Sequence, residues 1–236
     1  GISETFGEGA ADQGLAVIQA DGTVYDGTAG VLNEIYTGGG NKFMWFPIVG
    51  QILLPVMSAT GLNIGADQLD NDGAEIFTGL MDSGGRPMII GTDAAFQFCA
   101  SVTITDVSGT DDFHVGWRRV QNPAGSQAIA LATFDDYTDF ATIGIVTAAS
   151  PAAIQLETAL NNAITVTTDT TDTVADTVNK AYCVLVSATG VVTYTNDGAA
   201  PTVTAAYTFD DGDMVIPFIH YLNSIDLADA ITITDW

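Results

Sequence analysis

His114 follows Asp111 and Asp112 closely enough for a carboxylate to orient its imidazole, the pairing that general acid–base chemistry uses. A histidine on the polar face of a strand is more often a hydrogen-bonded structural residue, and His114 is read that way. The Asp-rich turns invite a cation. With Gly73 at the sixth position of a calcium loop, Asp70 and Asp72 fall at the third and fifth, but Gln68 holds the first and Gly79 the twelfth, where a bidentate Glu is required. That stretch reads as a solvated turn. Asp210, Asp211 and Asp213 gather hard oxygen donors, yet Asp-Asp-Gly-Asp is equally a hairpin turn. With only His114 and His220, and no Cys/His ligand spacing, no metal is expected. Gly-x-Ser-x-Gly, His-Glu-x-x-His and a phosphate-cradling Gly-rich loop are all missing, so neither a catalytic residue nor a cofactor is assigned.

Sugar binding needs aromatic platforms flanked by planar polar groups. Trp45, Trp117, Tyr137 and Tyr221 offer such rings. Trp117 alternates with Phe113 and Val115 and is assigned to the core. Tyr137, within the acidic stretch Asp135 to Asp139, is expected to be exposed and is the candidate glycan contact.

The elements that would position these groups are strands. Phe96, Phe98, Ala100, Val102 and Ile104 alternate with polar or small residues, the period of two of a strand buried on one face. Phe113, Val115 and Trp117 repeat the pattern. So do Tyr182, Val184 and Val186, after which Gly190 breaks the run, Val191 to Tyr194 opens a return strand and Asn196-Asp197-Gly198 turns the chain again. Further strands are expected at Val203 to Phe209, Met214 to Tyr221 and Ile231 to Trp236, and an exposed one within residues 161–173. The segment from Ile154 to Leu160 reads as weakly helical. About ten short strands with polar turns argue for a single antiparallel β-sandwich or jelly roll over residues 76–236.

Residues 1–75 lack such periodicity. They read as an extended N-terminal arm or a set of short edge strands, anchored by the apolar run Phe43 to Met57 with Phe43, Trp45 and Phe46 as candidate assembly contacts. A pair of ordinary core strands punctuated by proline is the alternative. The run spans 15 residues and contains Pro47 and Pro55, against the roughly 20 apolar residues of a bilayer-crossing helix.

Hydrophobic residues make up 47% of the chain and charged ones 14%, a composition that folds. Five basic side chains oppose 29 acidic ones, for a formal net charge of −24. Phosphate backbones and anionic membranes repel such a surface, so neither nucleic acid nor membrane is an expected partner. Cys99 and Cys183 are either buried thiols or one bridge.

The hairpin carries a resemblance. Val184, Val186, Gly190, Val192, Tyr194, Asp197 and Gly198 occupy the places of the paired strands in laminin-G and concanavalin A-like sandwiches. Hydrolases related to these sandwiches carry Glu-x-Asp-x-x-Glu on one strand, and Glu4, Glu8, Glu34, Glu75 and Glu157 show no such spacing. Across roughly the last 125 residues, Asp112 to Arg119, Asp135 to Phe140, Val166 to Asp172 and Asp197 to Asp213 are similar to concanavalin-type domains in structural proteins of tailed bacteriophage particles. That resemblance implies a non-enzymatic virion component, a head decoration or cement protein on the particle surface. Its partners would be copies of itself, for instance as a trimer, and other capsid proteins. The alternative is a carbohydrate-binding, lectin-like module, secreted or part of a receptor-binding device.

Overall fold

The computed structural model describes residues 17–19, 33–36, 42–49, 56–58, 60–64, 73–79, 86–121, 137–147, 149–223 and 231–236. In chain order the strands are β1 (Val17–Gln19), β2 (Asn33–Tyr36), β3 (Lys42–Val49), β4 (Val56–Ser58), β5 (Gly61–Asn63), β6 (Gly73–Phe77), β7 (Met88–Ile89) and β8 (Phe96–Ile104). They continue with β9 (Thr110–Arg119), β10 (Phe140–Ile145), β11 (Ala152–Ala159), β12 (Val166–Val174), β13 (Asn179–Val186), β14 (Val192–Asn196), β15 (Met214–Asn223) and β16 (Ile231–Asp235). A single 3-10 turn, Val107–Gly109, is the one helical element among the described residues; Asp106 caps it by accepting from the Ser108 amide.

All strand pairings are antiparallel, and they build two sheets. The larger runs β1-β2-β3-β6-β15-β9-β10-β11-β12, with β7 also on β15; the smaller runs β14-β13-β8-β16-β5-β4. This is the expected antiparallel β-sandwich of concanavalin-like type. Its core lies between the sheets: Phe98, Ala100, Val102, Ile104, Tyr182, Val184 and Val186 from one side meet Phe113, Val115, Trp117, Ile143, Ile219 and Tyr221 from the other. Each large apolar side chain withdrawn from water in this way contributes about 1.5–3 kcal/mol. The alternation in β8, β9 and β13 is therefore the inward face of the sandwich, as the sequence indicates.

Three expectations need correction. The described strands β3, β4 and β5 do not stand apart from the body: β3 pairs with β6 in the larger sheet, β4 and β5 join the smaller one, and Leu62 and Ile64 are core residues, as the reading of ordinary core strands punctuated by proline has it. Phe43, Trp45 and Phe46 lie in β3, an interior strand, with Phe46 opposite Glu75 in the register. Their side chains fall outside the described residues, as does most of the Asp67 to Gly73 turn. Ile154 to Leu160 is extended, not helical. Around Glu157 to Ala159 β11 is buried on both faces, which masks the period of two. Val203 to Phe209 forms no ladder of its own. The Val203 amide donates to the Thr170 carbonyl at one sheet's edge, while Val192 and Gly190 of the other sheet bond to Tyr207 and Phe209, so this segment crosses from sheet to sheet.

Cys99 and Cys183 stand directly opposite each other on β8 and β13 and are bridged. The bridge closes a loop across a sequence separation of 84. By loop-closure entropy, replacing both cysteines with alanine is expected to cost about 4–5 kcal/mol, measured as a lower urea midpoint with a steeper slope, because the unfolded chain expands once its crosslink is gone.

Candidate functional site

Histidine, arginine, tyrosine and two glutamates converge on the face of the larger sheet turned away from the smaller one. Register places Glu75 of β6, His220 of β15 and His114 of β9 side by side in one transverse row. Arg118 follows on β9, Thr142 on β10 and Glu157 on β11. Glu75 Oε1 accepts from Arg118 Nε at 2.7 Å, and Glu75 Oε2 accepts from the Tyr137 hydroxyl. The Arg118 guanidinium lies 4.3 Å from the Tyr137 ring centroid, 5.4 Å from that of Phe77 and 5.8 Å from that of Phe218. His114 Nδ1 is 3.1 Å from Thr142 Oγ1, and its Nε2 is 3.8 Å from Glu157 Oε2. Burial holds the His114 pKa down at about 4, against the opposing pull of Glu157. Burial and then the neighbouring His114 keep His220 well below the ordinary histidine value.

Every one of these side chains is buried. The cluster is a polar layer inside the protein, with Glu75 paired to Arg118 and both histidines uncharged, and not an open reaction site. Tyr137 is the main correction here. Expected exposed for a glycan, it is 1% exposed and packs edge-on against Phe218. The acidic residues around it in sequence suggest solvent, but Glu75 and Arg118 offer its hydroxyl and ring better partners. Sequence spacing gave no hint that Glu75 and Glu157 would face Arg118 and His114, because each pair joins strands far apart in the chain. Asp111 and Asp112 were the carboxylates in view; their side chains lie outside the described residues. Tyr221, another ring considered for sugars, is buried with its hydroxyl donating to the Ile64 carbonyl.

The Asp210 to Asp213 turn holds itself. The Asp210 amide donates to Asp213 Oδ2, and Arg119 Nε lies 3.4 Å from Asp213 Oδ1. Arg119 also reaches Asp139, so a guanidinium supplies the positive charge these carboxylates face. Asp213 is shifted upward, chiefly by burial. Among the described residues no His, Cys, Asp and Glu cluster is arranged to hold a metal ion.

An accessible concavity opens at the end of the sandwich where β8 begins and β13 ends. It encloses about 760 Å³. Phe96 and Trp117 form its floor with ring centroids 4.5 Å apart at 60°, and Phe98 stands behind at 6.4 Å. Trp117 is fixed there by its indole N–H, which donates to the Val184 carbonyl at 3.1 Å. Met88, Leu185 and Pro217 continue the apolar wall, and Thr78, Gln97, Ser187 and Thr193 bring hydroxyl and amide groups to it. Gln97 and Thr193 are exposed. None of the described lining residues carries a titratable side chain. The cleft can therefore stack and hydrogen-bond a neutral molecule, and no described lining side chain is an acid or base that could activate its hydroxyls. Trp117, assigned to the core from its alternation, does both jobs: it packs between the sheets and faces the cleft.

No family model matches the chain, and no curated protein matches it. Solved structures resemble it in fold. The carbohydrate recognition domain of Emp46p in its potassium-bound form superposes with a TM-score of 0.53 at 7% identity, covering 82% of this chain and 86% of that one. The corresponding domain of Emp47p gives 0.50 at 11%, covering 96% and 94%. An alginate lyase from Pseudomonas aeruginosa gives 0.45 at 13%, covering 93% and 94%. The first two similarities bear on the fold alone and match the concanavalin-like sandwich. A fold of this kind does not by itself fix an activity. None of these structures is a virion protein, and the bacteriophage part of the resemblance gains nothing from them.

Proposed function

We propose that this chain is a non-enzymatic carbohydrate-binding module that takes a neutral glycan in the end cleft. The observation that carries the reading is the lining itself: aromatic rings meet hydroxyl and amide groups, with no titratable side chain among the described lining residues. Sugars present apolar ring faces to aromatic side chains and hydroxyls to Gln, Ser and Thr, so the two halves of the cleft match the two faces of a sugar. A formal charge of −24 disfavours anionic polysaccharides and leaves neutral ones. Support also comes from the carbohydrate recognition domains that share the fold. The Cys99–Cys183 bridge suits an oxidising, extracellular setting.

Titration with neutral oligosaccharides, followed by Trp117 fluorescence, tests the proposal. Binding is expected to perturb the emission, and Gln97→Ala, which removes an exposed amide, is expected to weaken it about 3- to 10-fold without changing stability. An unchanged emission up to millimolar concentrations across a panel of neutral glycans would overturn it.

A further inference from the structure

An uncharged, apolar edge stands out on this strongly acidic chain. Residues 158–168 and 198–209 contain no charged side chain. The two segments lie together, joined by the Val203 amide donating to the Thr170 carbonyl and the Tyr207 hydroxyl donating to the Ala159 carbonyl. Six large apolar residues are exposed among those described, and three belong to these segments: Ile164 at 88%, Val166 at 57% and Val203 at 41%. Ile164 forms part of the wall of a depression of about 350 Å³ that it shares with Leu160, Ala163, Val166, Ala206 and Tyr207.

We propose that this edge is where a second copy of the chain docks. The surface holds both a projecting apolar side chain and an apolar hollow, the arrangement a two-fold contact requires, since each copy can seat its Ile164 in the hollow of the other. Charge selects the place. Two bodies of −24 repel over most of their surfaces, and these segments, which carry no carboxylate of their own, are where the repulsion is weakest. The carboxylates that border the segments are hydrogen-bonded within the chain: Asp169 accepts from the Thr171 amide, Asp172 from the Thr202 hydroxyl and Asp210 from the Asn161 side chain. The partner is an identical acidic chain meeting through apolar contact, so the association is held back by long-range repulsion.

The test is sedimentation of the full chain over about 5–500 µM, in about 20 mM and about 500 mM NaCl, where screening lengths differ several-fold. A concentration-dependent dimer that tightens with salt is expected, and Ile164→Asp is expected to raise its Kd by about tenfold or more. Val178→Asp, an exposed apolar position outside both segments, should leave it unchanged. Ile164 is so exposed that the variant retains its fold, checked by an unaltered melting curve. A monomer at every concentration in high salt overturns the proposal. So does a dimer indifferent to Ile164→Asp, or one weakened equally by Val178→Asp.

Discussion

Arg118→Met is expected to destabilise the protein by about 3–5 kcal/mol, the cost of leaving one member of a buried ion pair alone. Glu75 sits fully buried with one oxygen on Arg118 and the other on Tyr137. Removing the guanidinium leaves a carboxylate that neither water nor another described cation reaches, and it also strips the aromatic layer of Phe77, Tyr137 and Phe218 of the cation it surrounds. The partner variant discriminates between charge and packing. With Glu75→Gln in the same chain, much of the loss should return, because the orphaned charge is gone and the methionine stem fills similar space. Urea denaturation of both variants and the double variant measures this. If Arg118→Met costs under 1 kcal/mol, or the second substitution restores nothing, the buried pair is not what holds this layer.

The second large effect is acid sensitivity. His114 and His220 face each other on adjacent strands, both fully buried and held uncharged. The groups around them are Glu157 on β11, Glu75 on β6 and Arg118 on β9, and Glu75 is already committed to the arginine. In the unfolded chain a histidine takes up its proton near pH 6.5, whereas folded His114 does so only at about 4. Between those values the unfolded state binds more protons, so stability falls as pH drops through that window and is fully present above it. The His114 shift alone corresponds to about 3 kcal/mol, and His220 acts in the same direction. Stability measured at pH 7, 5.5 and 4.5 should fall steeply, and the slope should flatten in a His114→Gln, His220→Gln double variant. A flat profile in the native chain contradicts this account of the histidine pair.

The sandwich was legible in the sequence wherever one face of a strand is buried and the other is not. β8 and β13 show it, as do Phe113, Val115 and Trp117. Legibility failed where the larger sheet is covered on both sides. His114, Gly116 and Arg118 alternate with those apolar residues and so read as a solvent face, yet all three are buried. Period alone cannot separate water from a second protein layer. β11 was missed for the same reason. In the first 75 residues short strands stood beside an extended arm as alternative readings, and the period could not choose between them because β4 and β5 are only three residues each and Pro47 interrupts β3. The cleft is a long-range product. Its floor was in view as Phe96 and Trp117, but its mouth forms where β6, β8, β13, β14 and β15 end together, which no local pattern reports.

The covalent link between β8 and β13 has a consequence for how the chain is broken down. Every peptide bond from residue 99 to residue 183 lies inside the ring that Cys99 and Cys183 close. A protease that nicks a surface turn there, such as the one at Asn161 and Asn162, severs the backbone without releasing a fragment. The product keeps its full mass on a non-reducing gel and separates into two pieces only after thiol treatment.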